Sequence, residues 1–257
     1  MNQNKLDLIF KAYDVRGIYG DTLTLETAYN IGVAFSEFVQ SEKIIVGHDG
    51  RTSNLEIFNA IATGIKSKNK DVHYIGTVPT DVVYSLSGLL DLPGLIITAS
   101  HNPKEWNGFK FCNRGASPIG VESGLLEIKK LASKNYALPL VLAESKKEDV
   151  TDIFINHLKE IVNPEHINSS IKFAIDGGNG AIGSVIDSLS SKYGLNYEGI
   201  YMDVDGTFPN HPADPSNPEN LEELVNLVLE KNYQFGVAFD GDASADAVAL
   251  SYYEAVA

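Results

Sequence analysis

Short apolar runs that end in polar turns and pass into helical periodicities recur along this chain. That alternation confines it to mostly parallel sheets with helices packed on their faces. Lys43 to Gly47 is an apolar strand that ends in His48, Asp49, Gly50 and Arg51. A helix reaching about Ser67 follows, with Ser53 and Glu56 spaced as a capping box. Val72 to Ile75 reads as the next strand, Thr80 to Leu90 as a helix behind Pro79, and Leu95 to Thr98 as a strand that delivers Ala99, Ser100, His101, Asn102 and Pro103. Before these, Ala28, Ile31, Phe35 and Phe38 recur at helical spacing over Thr24 to Val39, with Thr24 placed to cap the start.

After the serine stretch, Phe109 to Phe111 reads as a strand and Glu122 to Lys134 as an amphipathic helix with a lysine-rich end. The pattern weakens around Pro139, and the charged run Glu144 to Asp149 precedes a new helix over Val150 to Val162. A domain boundary therefore falls near residue 145, giving domains 1–145 and 146–257. The second alternation comprises a strand Ile171 to Ile175, the turn Asp176 to Gly180, a helix Ile182 to Tyr193, a strand Tyr197 to Met202, a helix Leu221 to Glu230 and a strand Phe235 to Phe239. Between them, the four prolines of Asp205 to Asn220 remove amide donors and fix φ, so that segment is a loop or an ordered excursion. The fold class is α/β: two consecutive mixed or mostly parallel sheet domains with helices on both faces.

Composition narrows the partners. A formal net charge of -14 over 257 residues disfavours nucleic acid and anionic membranes, which are bound through surplus Lys and Arg. The single cysteine, Cys112, cannot pair within the chain, which suits a reducing compartment. The start is too polar for a signal peptide and no apolar run approaches a membrane span, so a cytoplasmic protein is expected.

Chemistry collects where strands end. Ser100 sits on a polar turn and is suited to carry a phosphoryl group; a polar turn bonding to its own backbone is the competing reading. A hydrolase is disfavoured, because Gly-x-Ser-x-Gly is absent and adjacent Ser100 and His101 usually point apart. Asp240 and Asp242 flank Gly241, so both carboxylates can converge on a hard cation such as Mg²⁺, or form a solvated pair. Lys110 lies ten residues beyond Ser100 across a turn, where a partly buried lysine would serve proton transfer; an exposed strand lysine is the alternative. Phe10 to Gly20 reads as an irregular loop that sets Tyr13 and Arg16 beside two glycines, with Arg16 able to fork onto an oxyanion or remain solvated. The glycines at 177, 178 and 180 lack a Lys-Ser/Thr ending and are better explained by tight packing than by a P-loop.

Five stretches in order, YDVRG, VGHDGR, TASHNPKEWNGFKF, DGGNGAIG followed by FPNHPADPSNPENL, and FDGDA, resemble the α-D-phosphohexomutases, specifically the phosphomannomutase/phosphoglucomutase branch. The resemblance runs from about Phe10 to Ala243. It implies domains 1 and 2 of that family and a Mg²⁺-dependent exchange of hexose 1-phosphate and hexose 6-phosphate through a phosphoserine and a hexose bisphosphate. Ser100 matches the phosphoserine. Asp240 and Asp242 match metal ligands, with Ser100 completing the set. Lys110 matches a general base, and Tyr13, Arg16, His101 and Asn102 match active-site loop residues; Arg51 falls within a matching loop motif.

Two departures qualify this. Ser244 stands where the family has a third carboxylate and Ala245 where it has an arginine, so weaker Mg²⁺ binding and slower chemistry are expected. Asp246 is too displaced to replace the missing ligand without bending the loop. The segment Asp246 to Ala257 does not resemble the family, and domains 3 and 4 have no counterpart. The chain is therefore expected to be the N-terminal half of such an enzyme, inactive or severely impaired alone, with a missing C-terminal half as partner. The alternative is a non-catalytic phosphosugar- or partner-binding module.

Overall fold

Apolar runs whose parallel pairs are separated by crossovers of about a dozen residues or more assemble into two separate sheets. The computed structural model describes residues 3–163, 167–244 and 246–250. By contact density the chain forms two compact units: one holds the residues up to Ala99 together with Lys104–Asp149, and the other holds Ser100–Pro103 together with the chain from Val150 onward. The serine loop thus groups with the second unit, although both its flanking strands belong to the first.

In the first unit the elements are α1 (Gln3–Ile9), β1 (Val15–Ile18), α2 (Leu25–Phe38), β2 (Lys43–His48), α3 (Asn54–Lys66), β3 (Asp71–Thr77), α4 (Thr80–Leu90), β4 (Gly94–Ile97), β5 (Trp106–Asn113), β6 (Ser117–Pro118) and α5 (Leu125–Ala132). The sheet order is β1-β5-β4-β2-β3, with β6 on β5. β2 runs parallel to β3 and β4, where helices make the crossovers, and β5 runs antiparallel to β4 and β1. The antiparallel turn is dictated by chain length, because the β4–β5 connection is too short for a parallel crossover.

Alternate strand residues point to opposite faces. Ile44, Val46, Leu95, Ile97, Phe109 and Phe111 join the core built with α2, α3 and α5. On the other face Gly47 and Gly94 lie against Val83 of α4. Full burial of these aliphatic and aromatic side chains is the main stabilising term, worth roughly 1.5–3 kcal/mol each.

The second unit contains α6 (Thr151–Ile161), β7 (Phe173–Asp176), α7 (Gly183–Tyr193), β8 (Tyr197–Ile200), α8 (Glu222–Lys231), β9 (Phe235–Phe239) and β10 (Asp246–Leu250). Its order is β10-β9-β7-β8, with β7 parallel to β8 and β9, and β10 antiparallel to β9. Leu224 and Val228 of α8 pack on Ala174 and Ala238. Both sheets carry helices on both faces, as the sequence reading expected.

Several local expectations change. Thr24 does cap α2, its side chain accepting from the Thr27 amide. Ser53 and Glu56 form no capping box: Ser53 adopts helical angles and accepts from Asn107 Nδ2 at 2.8 Å, while Glu56 accepts from the Tyr19 hydroxyl at 2.5 Å. Phe10 to Gly20 is not wholly irregular, since Val15–Ile18 pairs with Trp106–Phe109 as β1. The helix expected over Glu122 to Lys134 begins only at Leu125, because Gly124 takes φ 132 where its backbone meets the Phe38 ring. β8 ends at Ile200, and Tyr201 turns the chain away at φ 53.

Candidate functional site

Ser100 follows β4 by way of Thr98 and Ala99, and its backbone sits in the left-handed region at φ 54. A non-glycine residue there is strained and persists only where its surroundings hold it, a condition common at functional sites. Its side chain is buried, and its hydroxyl donates to Asp240 Oδ2. The His101 Nδ1 lies at 3.5 Å, the outer limit of an interaction, so the serine proton is directed at the carboxylate and no Ser-His dyad is formed.

Asp240 and Asp242 are both fully buried on the turn after β9. The Ser244 amide donates to Oδ1 of each, at 2.8 and 3.3 Å, so the two carboxylates face one another across a single N–H. The Ser244 hydroxyl donates to Asp242 Oδ1 at 2.7 Å and stands 3.5 Å from Ser100 Oγ. Ser244 therefore places a neutral oxygen in the cluster, a contact the sequence reading treated only as a lost ligand. Ala245 lies outside the described residues, as do the side chain of Asp246 and the segment from Ser251.

The glycines explain how the turns come together. A Cβ on Gly241 would stand 2.9 Å from the Ser100 carbonyl oxygen, and one on Gly180 would stand 2.8 Å from the Gly241 carbonyl oxygen. The Ala181 amide donates to that same Gly241 oxygen at 3.1 Å. The glycine-rich turn after β7 is thus a packing surface for the Asp240–Asp242 turn.

The Pro-rich segment is an ordered excursion. Asp205 and Asp214 each accept from the amide and hydroxyl two residues on, at Thr207 and Ser216, closing Asx turns. Its tip is fastened by His211, whose Nε2 lies 2.9 Å from Asp176 Oδ2, and by Asn210, which donates to Asn179 at 2.8 Å. The hydrogen bond to Asp176 raises the His211 pKa above the usual histidine value. Both residues lie in the two linked motif stretches, but sequence reasoning did not single out the pair, whose members are 35 residues apart.

The remaining candidates are placed as follows. His101 is exposed and Asn102 half-buried on the serine loop. Arg16 lies on β1, its Nε donating to Asp14 at 2.8 Å and its Nη1 to the Ala99 carbonyl. Tyr13 is exposed. Lys110 is half-buried on β5 opposite Ile96. Arg51 is buried, its Nε 3.2 Å from Asp49 Oδ2 and its Nη1 donating to the Trp106 carbonyl at 3.0 Å.

A divalent cation can be tested against these donors. Among the described residues no three His, Cys, Asp or Glu side chains converge as a metal cage. Mg²⁺, however, is commonly held by one or two carboxylates together with phosphate oxygens and water. Two buried carboxylates on one turn, beside the Ser100 oxygen, fit the carboxylate part of that set.

Comparison with known proteins gives the family. The phosphoglucomutase/phosphomannomutase α/β/α domain I matches residues 7–137, and domain II of the same family matches residues 152–252. The chain belongs to the phosphoglucomutase/phosphomannomutase family. It is 36% identical to a phosphomannomutase of Vibrio cholerae over 245 residues, covering 91% of this chain and 53% of the relative. It is 37% identical to a phosphomannomutase/phosphoglucomutase of Pseudomonas aeruginosa over 238 residues, covering 91% and 50%. A crystal structure of a phosphoglucomutase/phosphomannomutase family protein from Burkholderia thailandensis superposes with a TM-score of 0.81 at 32% identity, covering 95% of this chain and 54% of that one.

The chain spans about half the length of the curated relatives it matches. The domain II match corrects one expectation: likeness to the family does not stop at Ala243 but continues to residue 252, and Asp246–Leu250 is the strand β10 paired with β9. Among the described residues no helix is long and apolar enough to cross a membrane.

Proposed function

We propose that this chain carries the phosphoryl-bearing half of a phosphohexomutase site, with Ser100 as the group that gives and takes the phosphoryl of a hexose phosphate. The observation that carries this reading is the buried Ser100 hydroxyl donating to Asp240 on a turn that also presents Asp242. In the forward step a sugar hydroxyl oxygen forms a bond to the phosphorus of phosphoserine 100 as the P–Oγ bond breaks, and the sugar proton passes to a base, for which Lys110 is the candidate. As the P–Oγ bond breaks in the forward step, Ser100 Oγ takes up a proton. In the return step it gives that proton up and bonds to the other phosphorus of the hexose bisphosphate while the bond from that phosphorus to the sugar oxygen breaks. The departing sugar oxygen is protonated by the base that took the first sugar proton. Positions 1 and 6 have then exchanged.

A phosphoserine carries about −1.5 to −2 charge at pH 7, so transfer depends on positioning and neutralisation. Asp240, Asp242 and the Ser100 phosphate would hold Mg²⁺, which when bound supplies that neutralisation. Arg16, Tyr13, His101 and Asn102 are proposed to contact the phosphosugar. Ser244 contributes a neutral oxygen rather than a carboxylate, so metal affinity is reduced.

The polypeptide that reads the sugar is proposed to correspond to the other half of the relatives, and the chain alone accepts a phosphoryl group without sustained isomerisation. Intact-mass measurement after incubation with a hexose 1,6-bisphosphate and Mg²⁺ tests this. One phosphoryl group on the wild type and none on Ser100→Ala is expected. Equal incorporation in both proteins removes Ser100 from the role, and binding of the bisphosphate without any incorporation leaves a non-catalytic binding module.

A further inference from the structure

The strongest polar cluster that the phosphoryl chemistry does not use lies in the first unit, at the ends of β2, β4 and β5. Asp49 is fully buried there, and four donors converge on its carboxylate. Oδ2 accepts from Thr98 Oγ1 at 2.7 Å and pairs with Arg51 Nε at 3.2 Å; Oδ1 accepts from Asn54 Nδ2 at 2.6 Å and from the Arg51 amide at 3.0 Å. Arg51 continues to the Trp106 carbonyl, and Asn54 Oδ1 accepts from Asn107 Nδ2 at 2.7 Å. The ion pair therefore grips Thr98, just before the serine loop, and Trp106, just after it, and reaches Asn107 through Asn54.

We infer that Asp49 and Arg51 are positioning residues that clamp both stems of the serine loop and so fix the direction in which Ser100 is presented. Three arguments carry this. A buried ion pair is a poor stabiliser, because desolvation consumes most of its attraction and apolar residues of equal volume serve as well. What it supplies instead is geometry: the planar guanidinium fork binds the carboxylate and the Trp106 carbonyl at fixed angles. The segment it brackets holds Ser100 in the left-handed region, which an unrestrained serine leaves readily. The Ala99 carbonyl, between Thr98 and Ser100, is held in addition by Arg16.

The clamp deepens the phosphoryl-carrier reading and rests on it only for the consequence at Ser100; the restraint itself can be measured separately. Amide hydrogen exchange is recorded on the full chain for wild type, Thr98→Val, Arg51→Lys and Thr98→Ser, alongside the rate of phosphoryl incorporation from a hexose 1,6-bisphosphate. Thr98→Val removes one hydroxyl at nearly constant volume and is chosen over Asp49→Ala, which leaves an uncompensated buried guanidinium. Thr98→Val and Arg51→Lys are expected to speed exchange over residues 99–107 on the order of tenfold, with α2, α3 and the second sheet unchanged, and to slow incorporation by a similar factor. Thr98→Ser restores both.

Unchanged exchange over 99–107, or exchange that rises equally throughout the chain, overturns the clamp. Local loosening with full-rate incorporation overturns its role in presenting Ser100. If the wild type takes no phosphoryl group, the carrier reading fails while the exchange pattern still decides the clamp.

Discussion

His211 and Asp176 form a closed pair: the imidazole Nε2 lies 2.9 Å from the Asp176 carboxylate while Nδ1 lies 2.8 Å from the Pro212 carbonyl. Both partners are acceptors, so the geometry is satisfied fully only when both ring nitrogens carry protons. The pair ties the Pro-rich excursion to the end of β7.

Its pH dependence follows from the raised His211 pKa. A histidine raised in the folded state contributes stability that is fully present below the unfolded value of about 6.5 and is lost as pH rises through the folded value. Urea titrations across that window are expected to show the wild type losing stability on the alkaline side. His211→Ala is expected to be weaker by about 1–3 kcal/mol in acid and to converge on the wild type at higher pH. A parallel offset at every pH contradicts the assignment.

The α2–α3 contact depends on two glycines. A Cβ on Gly32 would run into the Ile61 carbonyl, and one on Gly64 into the Tyr29 carbonyl. In an exposed helix Gly→Ala is favourable by roughly 0.8–1 kcal/mol. Here the helix backbones must separate, and Gly64→Ala is expected to destabilise by about 1–3 kcal/mol or more. A denaturation midpoint at or above the wild-type value would show that the helices part freely.

Much of this architecture could be read from the chain, since β2, β4, β7 and β9 are apolar runs and their turns carry the polar residues. What escaped has physical causes. The direction of β5 depends on the length of a connection rather than on any residue in the strand. Ser53 and Glu56 have the spacing of a capping box, but Asn107 and Tyr19, distant in sequence, take their side chains instead. At the site, Ser100, Asp240 and Asp242 were legible because strand ends concentrate chemistry. Arg51 stood out as part of the VGHDGR stretch, yet its burial against Asp49 is a tertiary fact that the stretch does not state. Ser244 was legible as a departure from the family, whereas its contact with Asp242 required coordinates.

Asp240 and Asp242 place two buried carboxylates around one amide, an arrangement that suits a cation better than an empty turn. Asp240→Asn removes one charge while retaining an acceptor for Ser100. In metal-free buffer the variant is expected to be at least as stable as the wild type, following the usual trade between function and stability. Mg²⁺ at 100 times its Kd stabilises a single-site protein by about 2.7 kcal/mol, and Asp240→Asn is expected to lose that gain. Thermal melts with and without Mg²⁺ measure both, and an equal Mg²⁺ response in the two proteins counts against the metal turn.

Ser244→Asp runs the same argument in reverse. A carboxylate there would face Asp242 where the hydroxyl now donates at 2.7 Å, and would approach the Ser100 hydroxyl that stands 3.5 Å from Ser244 Oγ. Without metal, a third negative charge replaces a hydrogen-bond donor, so the variant is expected to melt below the wild type. With Mg²⁺ the added hard oxygen ligand strengthens binding, by about tenfold for each 1.4 kcal/mol recovered from relieved repulsion and new coordination. Calorimetric titration with Mg²⁺, paired with melts in chelator, separates the two effects. Lower metal-free stability with tighter Mg²⁺ binding is expected; unchanged Mg²⁺ affinity would mean that position 244 does not reach the cation, and that Asp240, Asp242 and the Ser100 phosphate hold it without help from that side.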